Sequence, residues 1–443
     1  MAQKVGMVSL GCPKNQIDAE IMLAALKNAG FEIVPQESLA EVIIINTCGF
    51  IEDAKTEAIE NILDVAQYKQ GENPLKAIIV TGCLAERYRD DITEQIPEVD
   101  CVVGLGSNKD IVQIVKDAFA GKFSNSYGEK DDLPLCGERL LTTLPFTAYI
   151  KISEGCDNCC TYCAIPSIRG KNRSRAIEDI LAEAEKLVAG GVRELVVVAQ
   201  DPTRYGEDLY GKCELPLLLK KLCEIKELHW VRTLYTYPER ITDELLEVIA
   251  SEDKICKYLD IPIQHANGEI LRKMNRSGDF ESLLKLIEKI RAKIPSISLR
   301  TSLITGFPGE TEEQFAELCE FVLKARFDKL GCFAFSPEED TPAAGFENQI
   351  DEQTRVDRAE IIMNDQLRIV LEKNNQKIGQ CFEVLIEGWD DYIKCYFGRT
   401  AFDAPEIDSK VFFMASKPLE IGSFVNVTIN DLLDYDLLGE AED

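Results

Sequence analysis

Residues 146–166 read Phe146-Thr-Ala-Tyr-Ile-Lys-Ile-Ser-Glu-Gly-Cys156-Asp-Asn-Cys159-Cys160-Thr-Tyr162-Cys163-Ala-Ile-Pro166. The first part, Thr147–Ile152, is rich in β-branched and aromatic residues and reads as a strand. The second part is a polar loop that places Cys156, Cys160 and Cys163 within eight residues of one another. Downstream, the strand candidates Glu194–Ala199, Trp230–Tyr235, Tyr258–Ile263, Ser298–Leu303 and Lys329–Phe335 alternate with helical patterns. One helix is opened by Thr311-Glu-Glu-Gln314, a capping-box spacing before Phe315. A long amphipathic helix, Asp351–Lys373, closes the block. Six strand–helix units predict a partial (β/α)6 TIM-like barrel over 145–373, with its site at the carboxyl ends of the strands.

Toward the amino terminus a second alternating block occupies 1–120. Its strands are Val5–Leu10, Val42–Asn46 and Ala77–Thr81. They are followed by helical patterns at Ile17–Ala29, at Ala54–Ala66 and in an acidic stretch from Ala85. This pattern predicts an open parallel α/β sheet. The opening segment, Met1 to Cys12, is too short and interrupted for a signal peptide and reads as strand. Residues 121–144 are rich in Gly, Ser, Asp and Pro and read as a linker. Beyond 373 the pattern changes to short strands, Phe382–Ile386, Tyr392–Phe397, Lys410–Met414 and Phe424–Ile429, separated by Gly, Asp and Pro. That predicts a small all-β barrel of OB-like size over 374–443. The fold class is therefore α/β with a carboxyl-terminal all-β domain.

Composition narrows the function. With 45% hydrophobic and 28% charged residues the chain is ordinarily globular. No apolar run is long enough to span a bilayer, and no export signal is evident, so a cytoplasmic location is expected. The formal net charge is −28. Phosphate tracking needs clustered Lys and Arg, so this balance argues against direct nucleic-acid binding; it suits a basic partner or serves only to keep the protein soluble. Sixteen cysteines stand against two histidines, His229 and His265. Histidine-rich zinc sites are thereby disfavoured, and soft thiolate ligation of an iron–sulfur cluster or zinc is favoured.

Two cysteine constellations carry the chemistry. In the loop after Ile152 three thiolates can reach one four-iron cluster, which needs four ligands. The fourth iron is then open to a substrate group. A zinc knuckle or an electron-transfer cluster is the competing reading. In the amino-terminal block Cys12, Cys48 and Cys83 each lie just past the carboxyl end of a strand, where an open parallel sheet gathers its ligands. Gly11, Gly49 and Gly82 give those turns room. The count again is three thiolates and an open iron. The competing reading is three small buried residues.

The Cys156-x3-Cys160-x2-Cys163 spacing, with Tyr162 before the last cysteine, resembles the radical S-adenosylmethionine superfamily. Cys159 is an addition to that pattern. Ser9-Leu-Gly-Cys12-Pro-Lys-Asn15, Ile45-Asn-Thr-Cys48-Gly-Phe50, Thr81-Gly-Cys83-Leu84, Ile168-Arg-Gly-Lys-Asn-Arg-Ser-Arg175 and Gly306-Phe-Pro-Gly-Glu-Thr311 together resemble its methylthiotransferase family. The resemblance covers nearly the whole chain as a cluster domain, a radical core and a TRAM barrel. It implies two 4Fe–4S clusters, held by Cys12, Cys48 and Cys83 and by Cys156, Cys160 and Cys163. It also implies two uses of S-adenosylmethionine, one cleaved to a radical that removes hydrogen and one methylating a cluster-bound sulfur. An electron donor and a sulfur source are implied partners, and the first step, hydrogen removal by the radical, needs no acid–base pair. At the strand-end rim, Tyr162, Gln200, Gln264 and Gly306 are candidates for S-adenosylmethionine contacts. Asp201 and Thr305 share that rim.

Family branches modify an adenosine of transfer RNA or an aspartate of small-subunit ribosomal protein twelve. From Asn375 to Asp443 there are five Lys or Arg against fourteen Asp or Glu, a net of −9. An acidic barrel suits a basic protein better than phosphates. The motifs Ser9–Asn15, Gln264-His265, Ser336-Pro-Glu-Glu339 and Tyr435-Asp-Leu-Leu-Gly-Glu440 resemble the ribosomal-protein branch, although Tyr435–Glu440 also reads as a closing strand. His265, Glu338, Glu339 and Asp436 are therefore expected to face substrate. The expected activity is methylthiolation of the aspartate β-carbon in ribosomal protein twelve, free or on the ribosome. Methylthiolation of transfer RNA and a non-catalytic iron–sulfur scaffold on the ribosome are the alternatives.

Overall fold

The computed structural model describes residues 2–70 and 74–442. Met1 and Asp443, part of the expected amino-terminal strand and acidic tail, lie outside them. The amino-terminal sheet comprises β1 (Lys4–Ser9), β2 (Glu32–Ile33), β3 (Val42–Thr47), β4 (Ala77–Gly82) and β5 (Cys101–Val102). All are parallel, in the order β2-β1-β3-β4-β5. Val42–Ile45 and Ala77–Val80 are apolar at every position because both faces are buried. From β1 the chain steps to β2 on one side and then to β3 on the other. This reversal opens a crevice at the carboxyl ends of β1 and β3, where Cys12 and Cys48 lie.

The core holds six parallel strands. They are β6 (Thr147–Lys151), β9 (Glu194–Val198), β10 (Trp230–Thr233), β11 (Tyr258–Asp260), β12 (Ser298–Thr305) and β13 (Lys329–Ala334). The short antiparallel pair β7 (Ser153–Glu154) and β8 (Arg173–Ser174) brackets the cysteine loop. The six strands form two hydrogen-bonded triplets, β10-β9-β6 and β11-β12-β13. The triplets meet where Thr236 N–H donates to the Asp260 carbonyl at 2.9 Å. The arc is a partial barrel, as the alternation predicted. The capping box forms as expected, with Gln314 N–H donating to Thr311 Oγ1 at 3.3 Å and Thr311 N–H to Gln314 Oε1 at 3.0 Å. The closing helix runs Glu352–Asn375, capped by Asp351.

Side chains of the core strands divide by the two-residue period. Ala148, Ile150, Leu195, Val197, Val231 and Leu259 pack under the surrounding helices. Tyr149, Val196, Val198, Trp230 and Tyr258 turn to the inner face and meet Ile17 from the amino-terminal block and Leu385 and Ala404 from the tail. The arc is therefore filled by both flanking domains.

The tail is a closed barrel of β14 (Cys381–Asp390), β15 (Cys395–Thr400), β16 (Val411–Met414), β17 (Phe424–Leu433) and β18 (Asp436–Ala441), in the order β14-β15-β16-β18-β17. The sequence reading counted four strands. The fifth, β18, is the segment that also read as a family motif. The expected strand Tyr392–Phe397 is split, because Asp390 Oδ1 accepts from Tyr392 N–H at 2.8 Å and Ile393 N–H at 3.1 Å, and Lys394 has φ +56°. These contacts fold residues 391–394 into a turn and delay the strand to Cys395. Buried polar contacts lock the barrel to the core. Arg399 Nη2 lies 2.6 Å and Arg232 Nε 3.0 Å from Glu194, Tyr258 donates to Asp408 at 2.7 Å, and Lys329 pairs with Asp403 at 2.6 Å.

Residues 121–144 are packed rather than free. Ser126 exchanges backbone bonds with Val102 and Gly104. Arg139 reaches Glu20 and Glu183, each at 2.9 Å. Among the described residues no helix is long and apolar enough to cross a membrane.

Candidate functional site

Cys12 caps the helix Pro13–Asn28, Cys48 follows β3, and Cys83 is the first residue of the short helix Cys83–Arg87. Gly11 has φ +89°, and a Cβ there would come within 2.6 Å of Cys48 Cβ. Glycine is required for the Cys12 and Cys48 loops to approach this closely. Polar side chains then stitch the three strand ends together. Asn15 Nδ2 donates to the carbonyls of Leu10 at 2.8 Å and Thr47 at 3.2 Å, Asn46 Nδ2 to that of Asn15 at 2.8 Å, and Thr47 Oγ1 to that of Thr81 at 2.6 Å.

The core loop is tied down independently. Cys156 N–H donates to Gly170 O at 3.0 Å, Thr161 N–H to Met274 O at 3.1 Å, and Ile165 N–H to Cys163 Sγ at 3.5 Å. The Tyr237 hydroxyl lies 3.5 Å from Cys160 Sγ. The Arg276 guanidinium stacks on Tyr237 at 4.1 Å and donates to the Tyr162 hydroxyl at 3.3 Å. Cys159 is exposed, and its carbonyl accepts from Asn275 at 2.8 Å.

Arg169, just beyond the core loop, reaches into the amino-terminal constellation. Its Nε lies 3.4 Å from Cys83 Sγ, and its Nη2 donates to Asn15 Oδ1 at 3.2 Å. Its Nη1 pairs with Asp18 and Glu154 at 3.0 Å. Lys151 meets the same two carboxylates at 2.5 and 2.6 Å. Two cations and two anions are thus enclosed together, which is the pairing that buried charges require. Cys83 also packs with Ala164 and Ile168, so the Cys83 helix and the residue after Cys163 are in one cluster. Lys14 Nζ sits 3.8 Å above the Tyr235 ring. Burial alone would raise the Cys12 thiol, but Lys14 and Arg169 outweigh it and hold its pKa below the ordinary value. Burial pushes Cys83 up to about 12, Cys163 to about 12 and Cys156 to about 11.

All sixteen cysteines are free thiols. Among the described residues no three His, Cys, Asp or Glu gather as they would around a single ion. Thiolates that each bind a separate iron of a cluster stand farther apart than ligands of one ion. Three soft thiolate donors per site fit an iron–sulfur cluster.

The structure distributes the remaining candidates unevenly. Tyr162 is half-buried beside the core loop under Arg276. Gln200 Nε2 donates to Glu154 Oε1 at 2.6 Å, while its own Oε1 is buried without a partner. Gln264 has φ +74° and extends the ladder by backbone bonds to Ser302 and Ile304. Gly306 has φ +71°, its N–H donates to Glu310 Oε2 at 2.9 Å, and a Cβ there would strike Arg355. Four residues expected to face substrate fare differently. His265 is fully enclosed, its Nδ1 accepting from Asn267 N–H at 2.9 Å. Glu338 is buried in an ion pair with Arg87, because the amino-terminal domain covers it. Asp436 is engaged within the tail barrel, its Oδ1 accepting from Lys410 N–H at 2.7 Å. Glu339 is exposed. Lys14, Arg169, Tyr235, Tyr237 and Arg276 went unremarked in sequence. For Lys14 and Arg169 the signal was present, a basic residue inside a motif already singled out.

Comparison with known proteins agrees with this architecture. The chain matches Uncharacterized protein family UPF0004 over residues 4–104, the Radical SAM superfamily over 150–322 and the TRAM domain over 378–441. Its fold resembles that of the radical S-adenosylmethionine methyltransferase TsrM from Kitasatospora setae, with TM-score 0.57, 14% identity and 77% of each chain covered. It is 50% identical over 440 residues to the ribosomal protein uS12 methylthiotransferase RimO of Desulforamulus reducens, covering 98% of this chain and 99% of that protein. The protein of the same name from Clostridioides difficile is 49% identical over 444 residues, covering 99% and 98%. End-to-end similarity at this level, on a radical core flanked by a cysteine-bearing sheet and a TRAM barrel, establishes that the chain belongs to the RimO family of radical S-adenosylmethionine methylthiotransferases.

Proposed function

We propose that this enzyme replaces a hydrogen on the β-carbon of an aspartate in ribosomal protein uS12 with a methylthio group. The observation that carries the reading is the contact between the two cysteine-bearing segments: Arg169, six residues past Cys163, reaches to 3.4 Å from Cys83 Sγ, and Cys83 packs on Ala164 and Ile168. The names of the full-length relatives support uS12 as the substrate, and the acidic tail suits a basic ribosomal protein.

In this reading Cys156, Cys160 and Cys163 hold one 4Fe–4S cluster and Cys12, Cys48 and Cys83 the other. When bound, the clusters and two molecules of S-adenosylmethionine supply hydrogen abstraction and a methylated sulfur, given an electron donor and a sulfur source. The protein's own residues hold and shield. Tyr237 and Arg276 brace the Cys160 side of the core loop. Gln200 offers its unpaired Oε1, and Gln264 and Gly306 shape the rim for S-adenosylmethionine. Arg169 and Lys14 keep positive charge beside Cys12, which favours thiolate ligands.

The test uses iron-loaded protein with reductant and S-adenosylmethionine, offered uS12 and transfer RNA in parallel and read by mass spectrometry. A methylthio mass gain on the uS12 aspartate is expected. Gain on RNA alone overturns the substrate, and absence of 5′-deoxyadenosine overturns the radical chemistry in favour of a scaffold.

A further inference from the structure

Glu338 lies in the Ser336-Pro-Glu-Glu339 segment that follows β13, and its side chain is 4% exposed. Four donors from three segments converge on its carboxylate. Arg87 Nη1 and Lys55 Nζ approach Oε2 at 3.0 and 3.5 Å. Glu52 N–H and the Ser336 hydroxyl donate to Oε1 at 2.9 and 2.7 Å. Arg87, itself 5% exposed, also donates to the Gly49 carbonyl at 3.0 Å and the Glu339 carbonyl at 2.5 Å.

These contacts have a particular geometry. Gly49 follows Cys48, and Glu52 opens the next helix. Arg87 is the last residue of the helix that begins at Cys83. The core therefore grips that helix at both ends, through Arg169 at Cys83 and through Glu338 at Arg87. One carboxylate holds both the Cys48 and the Cys83 loops. A buried, hydrogen-bonded pair of this kind resists rotation in a way that an exposed pair does not.

We propose that Glu338 and Arg87 are positioning residues, a latch that sets the separation of the Cys48 and Cys83 loops from the Cys156–Cys163 loop. The proposal rests on the reading of the two triads as the two halves of one methylthiotransferase site. Transfer between two sites is sensitive to spacing, since a displacement of 1 Å can cost about 100-fold in rate. Neither latch residue needs to touch substrate for this role.

The test compares Glu338→Gln, Arg87→Met and the double variant with the parent enzyme, all iron-loaded. Glu338→Gln keeps the shape and one acceptor oxygen but removes the charge. Four readings are taken: iron per chain, 5′-deoxyadenosine formed, methylthio-uS12 formed, and amide exchange over residues 48–52, 83–88 and 156–163. We expect iron content and S-adenosylmethionine cleavage to hold in Glu338→Gln, while product per 5′-deoxyadenosine falls about tenfold. Exchange rises at 48–52 and 83–88 and stays unchanged at 156–163. The double variant is no worse than either single one. The latch is overturned if product per 5′-deoxyadenosine is unchanged in Glu338→Gln. It is equally overturned if iron, cleavage and product fall in parallel, or if exchange is unchanged at both amino-terminal segments. A parent enzyme that cleaves S-adenosylmethionine but makes no methylthio-uS12 overturns the substrate reading instead, and the exchange arm still decides the latch.

Discussion

Replacing Glu194 by Gln should loosen the tail barrel from the core more than replacing Arg399 by Met. Glu194 stands between two guanidiniums, Arg399 at 2.6 Å and Arg232 at 3.0 Å, and all three side chains are essentially inaccessible. Arg399 has a second carboxylate, Glu387, at 2.6 Å, and that side chain is 9% exposed. The four charges balance. Glu194→Gln leaves one uncompensated positive charge in the enclosed part of the cluster. Arg399→Met leaves one negative charge, which Glu387 can relieve at the edge, while Glu194 keeps Arg232. Breaking a buried pair by removing one partner costs about 3–5 kcal/mol, so Glu194→Gln belongs at the upper end of that range and Arg399→Met at the lower. A chain of several domains does not unfold in one step, so the readout is local amide exchange in β15. At 1.4 kcal/mol per factor of ten, 3–5 kcal/mol raises the opening equilibrium by roughly two to three and a half powers of ten. Exchange in β15 within about threefold of the parent for Glu194→Gln, or a larger effect for Arg399→Met, would refute the charge argument.

Two further outcomes follow from the same geometry. Cys12→Ala should abolish methylthio transfer and lower iron per chain while leaving 5′-deoxyadenosine formation, because the core loop is tied down by its own contacts. Retention of both activities with full iron would remove Cys12 from the ligand set. Acid should release the tail barrel: burial alone would raise Asp403, but Lys329 and Lys377 outweigh it and hold its pKa at about 2. Its folded pKa lies below the unfolded value of about 3.9, so its stabilisation is complete above that pH and is lost as pH falls toward 2. The amount is about 2–3 kcal/mol. Glu194, also lowered because Arg399 and Arg232 outweigh its burial, adds in the same direction. Amide exchange in β15 should therefore accelerate below about pH 4, and a rate independent of pH there, after correction for intrinsic exchange, would contradict the assignment.

Local pattern made much of this molecule legible. Strands β3 and β4 declare themselves because they are covered on both faces and read as unbroken apolar runs, Val42–Ile45 and Ala77–Val80. The capping box at Thr311 and the cysteine loop after Ile152 are likewise contiguous signals. Legibility ended where a residue's role depends on what a distant segment brings to it. His265, on the strand-end rim, and Glu338, in a motif of the ribosomal-protein branch, are expected from sequence to face substrate. In the fold Glu338 is covered by Arg87 and Lys55, more than two hundred and fifty residues earlier in the chain, and His265 is enclosed. Strand β18 was ambiguous for a related reason. Its pairing with β16 and β17 depends on closure of a barrel, a non-local event to which a short run with acidic residues gives no periodic clue.

The sequence alone determined that the chain has two constellations of three cysteines on strand ends, in a parallel α/β framework with an all-β tail. Those properties follow from residue type, spacing and short-range periodicity, which local chain geometry translates directly into strand, turn and helix. Tertiary structure decided that the Cys83 helix packs against the segment just after Cys163. It also decided that Arg169 and the Glu338–Arg87 pair hold the intervening helix at its two ends, and that the tail barrel fills the inner face of the core. Such relations join residues far apart in the chain through buried charges. A buried charge is tolerated only where its partner arrives, and no local pattern records which partner that will be.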